Sequence, residues 1–273
     1  MLASLPLVTQ EPLGAADDIN LYSLEKERGL GRGLAAEFRQ RTTPIDSPTV
    51  QSYLDRLGQG IVRQLRGTKF LFTFSVIADD PCRTIHEPTS LPGGYVFVPA
   101  ALFLAAHDEA EFAGMLAHAM EHIAQRHGTR QAARGQIANL SSVPLIFMGG
   151  WSGNCSEGLV LPKGFLAIQR SNDLEADALA VQTMARAGFD PMALVRYIER
   201  VQHQPTTVTQ KAAVGLPDRE QRLAAMRSII EKLPPANYAA PTEDFATVQK
   251  ELRRLMESRV LPKAPPSLKR SNR

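Results

Sequence analysis

Hydrophobic and polar positions divide this chain into mostly helical periods, with two short stretches of strand character. Leu21 to Arg41 (LYSLEKERGLGRGLAAEFRQR) is amphipathic and predicts a helix. Ser47 as N-cap and Pro48 in the first turn open the next, whose apolar stripe is Tyr53, Leu54, Leu57, Ile61 and Leu65. Phe70–Ala78 (FLFTFSVIA), rich in aromatic and β-branched residues, predicts a strand. Tyr95–Val98 predicts a second, entered through the turn Leu91-Pro92-Gly93-Gly94. Pro99 then opens a short helix, and Asp108 caps a long one running through Glu109–Arg130. Further helices are predicted over Gly164–Ala187, from Asp190-Pro191, over Asp218–Ile230 and over Thr242–Arg259. The stretch from Ser141 to Lys163 is glycine-rich and irregular, a length of loop that is often functional. These elements predict an α+β fold, a mostly helical body with a small antiparallel sheet beside the long helix. One domain is expected over residues 20–259, between a loose arm at 1–19 and a basic, Pro-rich tail at 260–273.

Composition narrows the function classes. With 273 residues, 44% of them hydrophobic, the chain can bury a full core. A net charge of +3 and only 6% aromatics argue against nucleic acid as a partner. No apolar run approaches the roughly 20 residues that span a bilayer. Cys82 and Cys155 can form one bridge in an oxidising compartment or remain two thiols. The first residues, MLASLPLVTQEPLGAADDIN, lack a basic n-region and do not read as an intact signal peptide. Oligomeric state is not legible.

The chemistry concentrates in EAEFAGMLAHAMEHIAQRHGTR, residues 109–130. His118 and His122 stand four apart on one helix, so both imidazoles leave from one face, as zinc ligation requires. In the zinc-protease motif HExxH the residue after the first histidine is the general base, but here it is Ala119. Residues 118–122 also spell the inverted motif HxxEH through Glu121. The two histidines lie about 40° apart around the axis, and i+1 and i+3 fall about 80° to either side of their midline. Glu121 is therefore a weak candidate base on the far flank. A later helix carries Asp173, Glu175 and Asp177, which can supply a third ligand and a partner behind one of the imidazoles. Glu175 is an alternative ligand with poorer helical phase. His127 falls off the ligand face and reads as packing or capping, and His86 and His107 read as solvated turn residues. Trp151 and Cys155 could line a cleft or simply anchor their loop. The GLGRG of residues 29–33 has no preceding strand, which excludes a phosphate loop.

The segments LPGGYVFV (91–98), EAEFAGMLAHAMEHIAQRH (109–127), RSNDLEAD (170–177) and ARAGFDP (185–191) occur in the order and spacing of one family. They resemble the zinc metallopeptidases related to HtpX, BepA, the mitochondrial Oma protease and the CaaX prenyl protease. The resemblance runs over roughly residues 20–235 and implies a zincin-like domain and a zinc-dependent endopeptidase acting on proteins, often at the cell envelope or in the periplasm. By that resemblance His118, His122 and Asp173 are the metal ligands, with Asp173 in place of the family's glutamate. Asp177 is the aspartate of its ExxxD motif, partnering the ligands from behind. A later H-P-x-x-x-x-R motif reads Leu216-Pro217 through Arg222, keeping the arginine among the candidate catalytic groups and replacing the histidine. Tyr95, Val96, Phe97 and Val98 match the edge strand to which an extended polypeptide adds. Ala119 cannot take a proton, so weakened or lost proteolysis is expected. The alternative is a non-catalytic polypeptide-binding protein that keeps the fold, with or without the metal.

Overall fold

The computed structural model describes residues 20–78, 86–137, 163–202, 216–238, 240 and 242–260. Expectations for the 1–19 arm, Cys82, the glycine-rich segment through residue 162 with Trp151 and Cys155, and the tail past Val260 lie outside those residues.

Local signals place most elements. Helix α1 (Leu24–Arg41) begins at Ser23, whose side chain accepts from the Lys26 amide. Helix α2 (Pro48–Val62) has Pro48 in its first turn, although the Ser47 hydroxyl makes no capping bond. Strands β1 (Thr73–Ile77), β2 (Thr89–Leu91) and β3 (Tyr95–Pro99) follow, and α3 (Ala100–Ala105) leaves β3 directly. Helix α4 (Glu109–Ala124) starts where Asp108 accepts from the Glu111 amide at 2.8 Å. Then come α5 (His127–Ile137), α6 (Lys163–Ala187), α7 (Met192–Val201), α8 (Arg219–Ile230) and α9 (Glu243–Val260). Asp218 caps α8 through the Gln221 amide.

Two features differ from the expected helix and sheet. The long helix ends at Ala124, because Arg126 adopts a left-handed backbone (φ 58°), and α5 sets off in a new direction. Tertiary bonds hold that break: Arg126 donates to Glu27 Oε2 at 2.6 Å and to the Tyr22 carbonyl. The sheet is mixed rather than antiparallel, in the order β1-β3-β2. β2 and β3 form an antiparallel hairpin, while β1 lies parallel on the other side of β3. At three residues, β2 is too short to show an alternating pattern. Gly94 in the hairpin turn has φ +103°, and a Cβ there would stand 2.1 Å from the Leu71 carbonyl oxygen.

This topology corrects the strand expectation. Tyr95–Val98 is the central strand, paired on both sides, so it offers no edge to an added chain. The outer edge of β1 is occupied as well. Ile45 donates to the Val76 carbonyl and Ala78 to the Thr43 carbonyl, while the Gln51 and Gln59 side chains bind the Phe74 and Phe72 carbonyls. Among the described residues no strand pairs the outer edge of β1 or of β2, and the bonds above fill that of β1.

Helices cover both faces of the sheet. On one, Phe38 of α1 packs on Phe97 at a ring-centroid distance of 4.7 Å, with Ala35, Ile77 and Leu91 around them. On the other, Val96 and Val98 join the main core with Phe112, Met115, Leu116 and Met120 of α4. Helix α4 is buried on almost every face, as its apolar sequence demands. That places its two histidines inside the molecule, between the hairpin and α6. Among the described residues no helix is long and apolar enough to cross a membrane.

Candidate metal centre

His118 and His122 project from one side of α4, with their Nε2 atoms 3.2 Å apart. A separate chain of polar side chains stands behind each ring, an ion-pair contact opening the first and hydrogen bonds running through the second. His118 Nδ1 lies 2.8 Å from Asp177 Oδ1. Arg222 grips Asp177 through two bonds, Nε at 2.6 Å and Nη2 at 2.7 Å, and its Nη1 donates to Gln202 Oε1 at 2.8 Å. Gln202 in turn donates to the Pro217 carbonyl. Burial alone would raise the Asp177 carboxyl, but the Arg222 guanidinium and His118 outweigh it and hold it far below the usual carboxylate range. Asp177 is therefore an acceptor, and Nδ1 of His118 carries the proton.

The second chain was not foreseen. His122 Nδ1 lies 3.1 Å from His127 Nδ1, and His127 Nε2 lies 3.1 Å from Glu175 Oε2. Burial keeps His127 and His122 below the ordinary imidazole value, so both rings are neutral. The Glu175 carboxylate only accepts, so His127 Nε2 donates to it and His127 Nδ1 is left as an acceptor. His122 Nδ1 then donates, and its Nε2 presents a lone pair to the same space that His118 faces. His127 is thus more than a packing residue. The break at Arg126 returns it to the ligand, which helical phase alone does not allow.

Two carboxylates flank the imidazole pair. Asp173, from the same helix face as Asp177, places Oδ1 3.5 Å from His122 Nε2. Its Oδ2 is buried with no hydrogen-bond partner among the described residues, and burial followed by the charge of Glu87 raises its carboxyl to about 8. Glu87 stands at the other imidazole, with Oε1 3.6 Å from His118 Nε2. Sequence reading passed over this residue, since no motif spacing ties it to the helix. Its one signal is a position just ahead of LPGGYVFV.

The cluster fits a cation. Two nitrogens about 2.05 Å from one zinc at a tetrahedral angle stand about 3.3 Å apart, close to the 3.2 Å found here. Glu87, His118 and His122 offer ligand atoms all within 4.8 Å of one another. With only a proton to share, burial opposes the His118 charge, but Asp177 and Glu87 overcome it and raise the ring to about 10. The site thus attracts positive charge of either kind.

Other expected site residues lie elsewhere. Glu121 turns away from the cluster: it accepts from Thr183 Oγ1 at 2.6 Å and from Gln125 Nε2 at 3.3 Å. Arg222, grouped with the catalytic candidates, is fully buried behind His118, so its geometry is that of a positioning residue. Leu216 packs against the main core. Tyr95–Val98 runs through the sheet interior. His107 is exposed as expected, whereas His86 is half-buried at a left-handed φ of 54° just before Glu87.

A model of peptidase family M48 matches residues 50–230 of this chain. A beta-barrel assembly-enhancing protease of Escherichia coli (strain K12) is 26% identical over 240 residues, covering 82% of this chain and 47% of its own. A Vibrio cholerae relative that carries the same name provisionally is 30% identical over 252 residues, 86% of this chain and 51% of its own. The mitochondrial metalloendopeptidase OMA1 of Saccharomyces cerevisiae is 26% identical over 175 residues, 60% of this chain and 50% of its own. The chain spans about half the length of the curated relatives it matches.

Proposed function

This chain belongs to peptidase family M48, and from that premise we propose a zinc-dependent endopeptidase that cuts extended polypeptides, working at the cell envelope. The observation that carries the reading is the pair of Nε2 atoms 3.2 Å apart, with His118 Nδ1 in ion-pair contact with Asp177 and His122 Nδ1 bonded to His127, so that both Nε2 atoms face one space. His118 and His122 would hold the metal with Asp173, third ligand by its match to the family's motif, while Glu87, which groups with both imidazoles within 4.8 Å, stands at the same space. The metal when bound supplies Lewis-acid activation of water and of the scissile carbonyl. Asp177 and Arg222 orient His118, and His127 with Glu175 orients His122. The outer edge of β2, two residues after Glu87 and paired by no described strand, supports backbone pairing with an extended substrate beside the ligands.

The test is elemental mass spectrometry on the untagged protein, paired with cleavage of an unfolded polypeptide with and without chelator. About one zinc per chain is expected, lost in His118→Ala, with cleavage that the chelator stops. No zinc after zinc addition would overturn the reading. Ala119 supports a second one, a non-catalytic polypeptide-binding protein. Binding of an extended peptide to the zinc-loaded chain without turnover would select it.

A further inference from the structure

We propose that Glu87 is the general base of this site, the carboxylate that position 119 lacks. The inference rests on the peptidase reading above. A hydrolytic site of this kind needs three protein ligands, an open position and a carboxylate beside that position. The helix does not provide the last. Ala119 is a methyl group buried in the core, and Glu121 is committed to Thr183 and Gln125.

Two carboxylates remain at the imidazole pair, and their surroundings separate their roles. Asp173 has a side chain only 10% exposed and a buried Oδ2 that lacks a partner among the described residues. It shares a helix face with Asp177, so the helix that positions His118 from behind also delivers Asp173 to His122 from the side. A buried, unsatisfied carboxylate fixed on a helix is suited to ligate. The Glu87 side chain is 22% exposed, with Oε1 3.6 Å from His118 Nε2. Its ligand atom lies within 4.8 Å of those of both histidines, and its exposure is what separates it from Asp173. It stands two residues ahead of β2, whose outer edge no described strand pairs and on which an extended substrate would lie. A group at that place meets the metal-facing nitrogens, solvent and the scissile bond together, as a base must.

In the step proposed, the oxygen of the attacking water bonds to the peptide carbonyl carbon while Glu87 takes one of its protons. Glu87 then delivers that proton to the amide nitrogen as the C–N bond breaks. One water is consumed, a carboxylic acid and an amine are formed, the acid's proton passes to the amine as both ionise, and Glu87 ends as it began.

The experiment compares the wild-type chain with Glu87→Gln and Asp173→Ala. Zinc affinity is read by competition with a chromogenic chelator, and cleavage is read on a fluorogenic unfolded polypeptide. Glu87→Gln is expected to keep its zinc while cleavage falls roughly 10²–10⁴-fold. Asp173→Ala is expected to lose zinc affinity by well over tenfold. If Glu87→Gln loses zinc as Asp173→Ala does, Glu87 is a ligand and the proposal is overturned. Wild-type cleavage in Glu87→Gln overturns it too, and so does a zinc-loaded wild type that cuts nothing. A wild type that binds no zinc fails at the earlier reading and takes this one with it.

Discussion

The two ligand histidines acquire their direction from different partners, and this asymmetry has consequences residue by residue. His118 leans on a carboxylate kept charged by a guanidinium, all of it fully buried. His122 leans on His127, which leans on Glu175, whose side chain is 45% exposed. Removing His127 leaves His122 Nδ1 without its acceptor and lets the proton move to Nε2, the atom that should face the metal. His127→Phe is therefore expected to weaken zinc binding by roughly 10–100-fold with little loss of helix. Chelator competition alongside circular dichroism measures both, and unchanged zinc affinity would exclude the orienting role. Glu121 illustrates the converse case. Its burial raises its carboxyl, but Thr183 and Gln125 claim both oxygens, so its part is to tie α4 to α6.

Among elements, the junction of α6, α7 and α8 is decisive. Asp177 lies on α6, Arg222 on α8, and Gln202 follows α7, so one buried guanidinium ties three helices behind the site. Replacing it with an apolar side chain would leave the buried Asp177 charge with His118 as its remaining partner. Arg222→Met is expected to cost about 3–5 kcal/mol of stability, read from urea unfolding midpoints. The same pair sets an acid dependence. Asp177 is held below its unfolded value, so its contribution is complete above about pH 4 and declines as pH falls further. In Arg222→Met that acid-side slope should shrink, and an unchanged slope would place the cause in other carboxylates.

For the molecule as a whole, α1 acts as a clamp, although it lies before residue 50, where the family match begins. Gly31 allows it to touch the hairpin turn, since a Cβ there would lie 1.8 Å from the Pro92 carbonyl oxygen. Glu27, four residues earlier, holds the Arg126 break that returns His127 to the ligand. One helix thus braces both departures from a simple helix-plus-sheet plan, the hairpin behind Glu87 and the turn before His127. Gly31→Ala should push α1 from the turn and cost roughly 1–3 kcal/mol, measured by thermal unfolding. A variant as stable as wild type would show that the contact is slack.

The sequence by itself determined what nearest neighbours decide. Asp108, Asp218 and Pro48 mark helix starts because caps and ring constraints act within one turn. The i,i+4 spacing of His118 and His122 puts them on one face wherever the helix is packed. The same periodicity legibly aligned Asp173 with Asp177. Tertiary structure decided the rest, because the partners are distant along the chain. Whether Tyr95–Val98 is an edge or a centre depends on a strand twenty residues earlier and a three-residue strand with no pattern of its own. Glu87 reaches His118 across 31 positions, and Glu27 turns the chain at Arg126 from 99 positions away. Local propensity carries no record of such meetings, since each is settled by which surfaces the packed core brings together.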